Sequence, residues 1–216
     1  MIKAESFIGY SLGEEIGNAV SHGIGALLAA VGTGVMLATA TLYSTVAGIV
    51  GAAIYGVSLI ALYLFSTLYH AMPTGSNVKK VFRVFDHCSI FFLIWGTYAP
   101  VALSLVGGMK GWLIFALQSV CMAVGIILNC IDLKKYKKIS LVLYVCMGWA
   151  VVFSGNDVFS GLDRVGLELL IGGGIAYTAG IIFYSQKGKK YFHFIWHIFV
   201  LTGSLLHYFF VMRCCL

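Results

Sequence analysis

The sequence describes an all-α membrane protein, a bundle of seven transmembrane helices with the N-terminus cytoplasmic and the C-terminus outside. Three observations carry that reading. Of 216 residues, 60% are hydrophobic and 10% charged, at a mean hydropathy of +0.95, a composition suited to lipid rather than to a solvated surface. No Asp, Glu, Lys or Arg occurs from Ile16 to Val78; as one helix that stretch would be roughly 95 Å long, about three bilayer cores, so it must turn back. The basic residues, finally, gather on one side of the apolar segments.

The first span is read over Asn18 to Leu42, with the turn at Tyr43, Ser44 and Thr45. Val46 to Tyr69 is the second. The third, Phe85 to Val106, contains Pro100, which lacks a backbone donor and is expected to loosen or kink the helix and open room near the bundle centre. Trp112 to Ile131 is the fourth and Ser140 to Ser154, the shortest, the fifth. Val165 to Tyr184 is the sixth; its run Gly172, Gly173 and Gly174 suits close helix packing in lipid, and Glu168 is expected to pair with Arg164 one turn before it. Phe192 to Met212 is the seventh. Lipid offers no partner to backbone N–H and C=O groups, so uniformly apolar segments of this length are helices, and the alternation of a membrane barrel is absent. No second domain or repeat is evident, so residues 1–216 read as one domain.

Lys and Arg orient the bundle. Lys3; Lys79, Lys80 and Arg83; Lys134, Lys135, Lys137 and Lys138; and Lys187, Lys189 and Lys190 fall on one side, against Lys110, Arg164 and Arg213 on the other, a split of 11 to 3. Cytoplasmic loops collect positive charge, which places the N-terminus inside. Topology thus accounts for the net charge of +6, and no nucleic-acid partner is implied. No cleavable signal peptide is expected, because the first apolar run is too long and Glu14 and Glu15 stand where positive charge belongs. The six cysteines show no metal-binding spacing; Cys214 and Cys215 are a candidate lipidation or disulfide site.

Ionisable side chains inside lipid are costly and tend to mark function. His70 ends the second span, Asp86 opens the third, and His193 and His197 open the seventh, all at the cytoplasmic end. His193 and His197 are four residues apart, so they share a helix face about 6 Å apart along the axis; Ser66 and His70 have the same spacing. Three imidazoles with an open fourth position suit zinc. Plainer readings stand beside this one: interhelical hydrogen bonds for the HxxxH pair, and a helix cap or first-turn acid for Asp86. His22 has no partner by spacing and reads as structural. His87 is rotated about 100° from Asp86, and His207 lies roughly 15 Å beyond His197, so neither shares the site; His207 is placed to line an inner cavity.

In their order along the chain these residues resemble the hemolysin III family, the bacterial branch of the progestin and adipoQ receptor family, which includes the adiponectin receptors. The resemblance rests on Glu15, Asn18, Ser21 and His22 as E-x-x-N-x-x-S-H, Ser66 to His70 as S-x-x-x-H, and Asp86-His87 followed by Gly96-Thr97-Tyr98-Ala99-Pro100. It continues with His193 to His197 as H-x-x-x-H, then Gly203-Ser204 and His207. It implies a seven-helix bundle in the cell membrane with a zinc ion near the cytoplasmic face. By the same resemblance His70, His193 and His197 are the ligands, Asp86 reaches the ion through water, and Ser66 sits beside it. Asp86 and Ser66 are then the candidate catalytic residues of a zinc-dependent hydrolase acting on lipid amides or esters, with membrane lipids as partners. A receptor-like or membrane-homeostasis protein with structural zinc, and a cytolysin or channel, are the alternatives.

Overall fold

The computed structural model describes residues 10–186 and 188–216, so Lys3 and Lys187, used above for orientation, lie outside it. Among the described residues there is no strand. Six helical stretches are long and apolar enough to cross a membrane: Leu12–Tyr43, Val46–Ala71, Asn77–Val106, Gly108–Ser154, Arg164–Ser185 and Phe192–Cys214. We label the helices α1 (Leu12–Tyr43), α2 (Val46–Ala71), α3 (Asn77–Pro100), α4 (Gly108–Trp149), α5 (Asn156–Phe159), α6 (Arg164–Ser185) and α7 (Phe192–Cys214).

Local chemistry sets the boundaries. Ser11 and Glu14 form a reciprocal capping box at the start of α1, satisfying orphan amides of the first turn. Thr45, Ser76 and Asp163 cap α2, α3 and α6 through their side-chain oxygens. Asp163 also accepts from Arg213 at the end of α7, and that guanidinium holds its carboxyl down at about 2. Tyr43 and Val46 bracket the first turn as expected. α3 begins nine residues before Asp86, so the cap or first-turn reading of that acid is wrong. Pro100 does interrupt the third span: α3 ends there and continues as a π-helical turn over Val101–Val106, a common outcome where a ladder bond is lost.

Where the sequence reading counted seven spans, the difference lies in α4. At 42 residues it would be roughly 63 Å long if straight. It breaks at Asp132, whose backbone is extended and whose Oδ1 accepts from the amides of Lys134 at 2.9 Å and Lys135 at 3.0 Å. The two legs fold back on each other: Gln118 Nε2 donates to the Met147 carbonyl at 3.1 Å and Ser140 Oγ to Asn129 Oδ1 at 2.8 Å. The expected loop around Lys134 to Lys138 shrinks to the break at Asp132, because lysines are good helix formers and Lys134 to Lys138 already belong to the second leg.

α1 packs on α2 and α7, α2 on α3, α3 on α4, and α6 on α7, while α4 meets α6 over a small contact. The inward face of α1 is a stripe of small residues, Ser21, Gly25, Ala29 and Thr33, at the four-residue spacing that lets helices approach closely in lipid. Buried tyrosines bridge helices: Tyr63 and Tyr177 both reach Ser204 Oγ at 2.7 Å, and Tyr98 donates to the Gly148 carbonyl at 3.0 Å. The outer surface is apolar, with Leu27, Val31, Leu113 and Ile131 exposed. All six cysteines are free and Cys215 is buried, so Cys214 and Cys215 form no disulfide within the chain. Arg164 and Glu168 pair at 2.8 Å as expected.

A Cβ at Gly51 would lie 2.7 Å from Pro100 Cα, whereas one at Gly34 meets nothing within 4 Å. Gly51→Ala is therefore expected to cost about 1–3 kcal/mol by forcing α2 from α3, while Gly34→Ala is neutral or gains up to about 1 kcal/mol of helix propensity. Thermal melts of the two variants in detergent separate these outcomes.

Candidate metal centre

Three helix ends meet to build the site. His70 is in the last turn of α2, and α7 starts with His193 and His197 one turn apart. Tyr191, which precedes α7, is the only non-glycine at positive φ among the described residues, a conformation that costs of order 1–2 kcal/mol in an L-residue. Its amide donates to Glu14 Oε1 at 2.7 Å, so the acid that caps α1 also fixes where α7 begins. α1 then adds Glu15, Asn18, Ser21 and His22, all buried on one face.

The three imidazoles converge. His193 Nε2 lies 3.2 Å from His70 Nε2 and 3.2 Å from His197 Nε2, and one ring nitrogen of each falls within 4.8 Å of the others. A neutral imidazole has one N–H, so His193 Nε2 can donate to only one of these neighbours. A metal resolves the crowding: with Zn–N bonds of ~2.0–2.1 Å in a tetrahedron, the edge between two nitrogens is about 3.3 Å. Two of the remote nitrogens are engaged as ligating histidines require. His70 Nδ1 lies 2.7 Å from Glu15 Oε2, and His197 Nδ1 lies 3.2 Å from Ser21 Oγ. The residues present fit a divalent cation.

Beside the cluster runs a cavity of about 120 Å³, lined at this end by Ser66, Asp86, His193 and His197 and at the other by Tyr98, Tyr177 and His207. His193 and His207 are 14 positions apart, so it extends roughly 20 Å along α7. Between the two ends its wall is chiefly apolar, with Leu62, Ile90, Leu93 and Val200. Asp86 contacts His87 Nδ1 at 3.5 Å and is not one of the three convergent groups. Ser66 is buried, and its Oγ has no partner among the described residues, an orphan that a bound group would satisfy.

The histidines set aside from sequence separate in three ways. His207 lines the cavity as expected and its Nε2 lies 3.1 Å from the Leu170 carbonyl. His87 Nδ1 lies 2.9 Å from the Arg83 carbonyl. His22 was expected to act through its ring N–H, yet neither ring nitrogen finds a partner among the described residues. Instead its ring stacks on His197, centroids 3.6 Å apart at 9°.

Four contributors were not assigned from the sequence. Glu15 and Lys79 form a buried pair at 2.9 Å, Ser21 supports His197, and Tyr10 stacks on His193 with centroids 4.9 Å apart. The signal for α1 was present, since Glu15, Asn18 and His22 recur at helical spacing on one face. Lys79 offered none: it reads as one more loop cation, but it is 6% exposed.

A family profile described as Haemolysin-III related matches residues 10–208. This chain belongs to the haemolysin-III related family. Its relatives include Hemolysin-3 of Bacillus cereus, 37% identical over 199 residues, 92% of this chain and 90% of that protein. The Hemolysin-3 homolog of Bacillus subtilis (strain 168) is 37% identical over 209 residues, 95% of this chain and 96% of that one. The human monocyte to macrophage differentiation factor is 32% identical over 170 residues, 74% of this chain and 68% of that one. The stretch matched to the haemolysin-III profile runs from Tyr10, against His193, to beyond His207 at the far end of the cavity.

If the three imidazoles hold an ion, purified parent protein carries divalent metal at about one per chain, and the His193→Ala, His197→Ala double variant loses it. Elemental analysis checks this; equal metal in both would place any ion elsewhere.

Proposed function

We propose that this single-domain chain crosses the cell membrane seven times, holds a zinc ion on His70, His193 and His197, and hydrolyses an amide or ester bond of a membrane lipid. The observation that carries this reading is the convergence of three ring nitrogens at one end of a long, largely apolar cavity that also presents Asp86 and Ser66. Three imidazoles without a thiolate suit an ion such as zinc. When bound, zinc supplies a Lewis acid for a carbonyl oxygen and lowers the pKa of water to about 7.

The chain's own groups do the rest. The apolar wall takes the hydrocarbon part of the lipid and excludes bulk water. Asp86 accepts the proton lost by the attacking water and returns it to the departing amine or alcohol, the ordinary duty of a positioned carboxylate. Ser66, whose hydroxyl has no partner among the described residues, donates to oxygen that gains charge as the carbonyl is attacked. Glu15 and Ser21 hold two of the ligand rings in place.

Incubation of the purified, zinc-loaded protein with a broad panel of lipid amides and esters is expected to release fatty acid, with Asp86→Asn slower by 10²-fold or more. No release from any lipid, together with unchanged cellular lipids in an Asp86→Asn strain, sinks the hydrolase reading. A second reading has its own support: the same three ligands join α2 to α7, as a purely structural ion in a receptor-like protein would. There His197→Ala lowers thermal stability and no rate exists to lose. The names of the Bacillus relatives point to lysis, and erythrocyte lysis by the metal-site variants equal to the parent's would separate that activity from the metal.

Seven crossings follow if the two legs of α4 each span the bilayer. The charge asymmetry supports an N-terminus inside and a C-terminus outside. A reporter pair fused to the two ends is expected to read them on opposite sides; a shared side would leave an even number of crossings.

A further inference from the structure

A buried ionic chain crosses three helices beside the metal centre. Lys79 Nζ of α3 donates to Glu15 Oε1 of α1 at 2.9 Å, and Glu15 Oε2 lies 2.7 Å from His70 Nδ1 of α2. The same ammonium donates to the Met72 carbonyl at 3.0 Å, which is the C-cap of the helix that carries His70. Glu15 is 8% exposed, His70 2% and Lys79 6%. Taking such groups out of water is costly, and a buried pair often contributes no more stability than well-packed apolar side chains would. Stability alone therefore does not account for this chain of contacts.

Its geometry gives a reason. An ionised carboxylate only accepts, so its contact with His70 Nδ1 puts the ring proton on that nitrogen and leaves Nε2 with a free lone pair. That Nε2 is the atom facing His193 Nε2 at 3.2 Å. Lys79 occupies one oxygen of Glu15, leaving the other for His70, and pins the end of α2 to the same point. We infer that Glu15 and Lys79 are positioning residues of the metal centre, which fix the tautomer and direction of His70 as a ligand. Lys79 acts on the imidazole of His70 through Glu15. The inference rests on the proposed role of His70, His193 and His197 as metal ligands.

Full-length protein purified in detergent and stripped of metal provides the test, with zinc affinity read by chelator competition and ligand geometry by the visible bands of bound cobalt(II). Glu15→Gln is nearly isosteric; it is expected to weaken zinc binding by about 10–100-fold, as losing an outer-shell partner does, and to shift the cobalt bands. Lys79→Gln keeps the carboxylate and should weaken binding less. Because Lys79 works through Glu15, adding Lys79→Gln to Glu15→Gln should cost little more. Should Glu15→Gln fail to fold, Lys79→Gln alone carries the comparison. Parent-like zinc affinity and cobalt bands, with only the melting temperature of metal-free protein lowered, would show a structural tie and overturn the inference. A parent that bound neither zinc nor cobalt would instead remove the metal reading itself.

Discussion

The rest of this structure depends on one constraint: inside lipid, every polar group must find its partner within the protein. Helices answer it for the backbone. Hydroxyls answer it locally, as where Thr33, Thr67 and Thr97 donate to carbonyls one turn back in their own helices. Tyrosines answer it across helices, since a ring long enough to cross the interface delivers a hydroxyl to its neighbour's backbone or side chain. Tyr55, Tyr63 and Tyr177 all meet at Ser204 of α7, which joins α2, α6 and α7 without any charge.

Against that background, the end carrying His70 stands apart in kind. Here the partners are ionisable, and several are stacked or crowded rather than cleanly paired. His193 Nε2 touches two other ring nitrogens, His22 packs face to face on His197, and Ser66 Oγ has no partner among the described residues. Gln118 Oε1 and His207 Nδ1 also lack a partner among the described residues, but it is here that Asn18, His22 and Ser66, each with an unpartnered buried atom, gather around the three histidines. Such groups are expensive unless something joins them, and one cation between three imidazoles removes the largest conflict.

How much was legible in the sequence follows from which physics each feature uses. Span positions were readable because burial in lipid requires long uncharged runs, and the first turn at Tyr43 to Thr45 fell where length alone demanded it. His193 and His197 were readable because helical spacing is local. The break in α4 was placed too broadly, since lysines end an apolar run but favour the helix; only the extended backbone of Asp132 marks the fold-back. Lys79 was misread for a related reason. Its role comes from the packing of α1 against α2 and α2 against α3, and a cation bound for a buried carboxylate looks, in sequence, like one bound for water.

The uneven packing of the bundle gives these parts a joint meaning. α1, α2, α3 and α7 are held by close small-residue contacts, by the tyrosines and by the Lys79, Glu15 and His70 chain, whereas α4 touches α6 only slightly. The three histidines and Asp86 all belong to the tightly held group. The cavity beside them is also lined by Tyr144 and Trp149 of α4 and by Tyr184 of α6, two helices that share only a small contact. On the proposed function, ligands for a metal must be held within fractions of an ångström while a lipid still enters. A bundle joined firmly around the three histidines and only slightly between α4 and α6 suits both demands, because neither α4 nor α6 carries any of the three histidines.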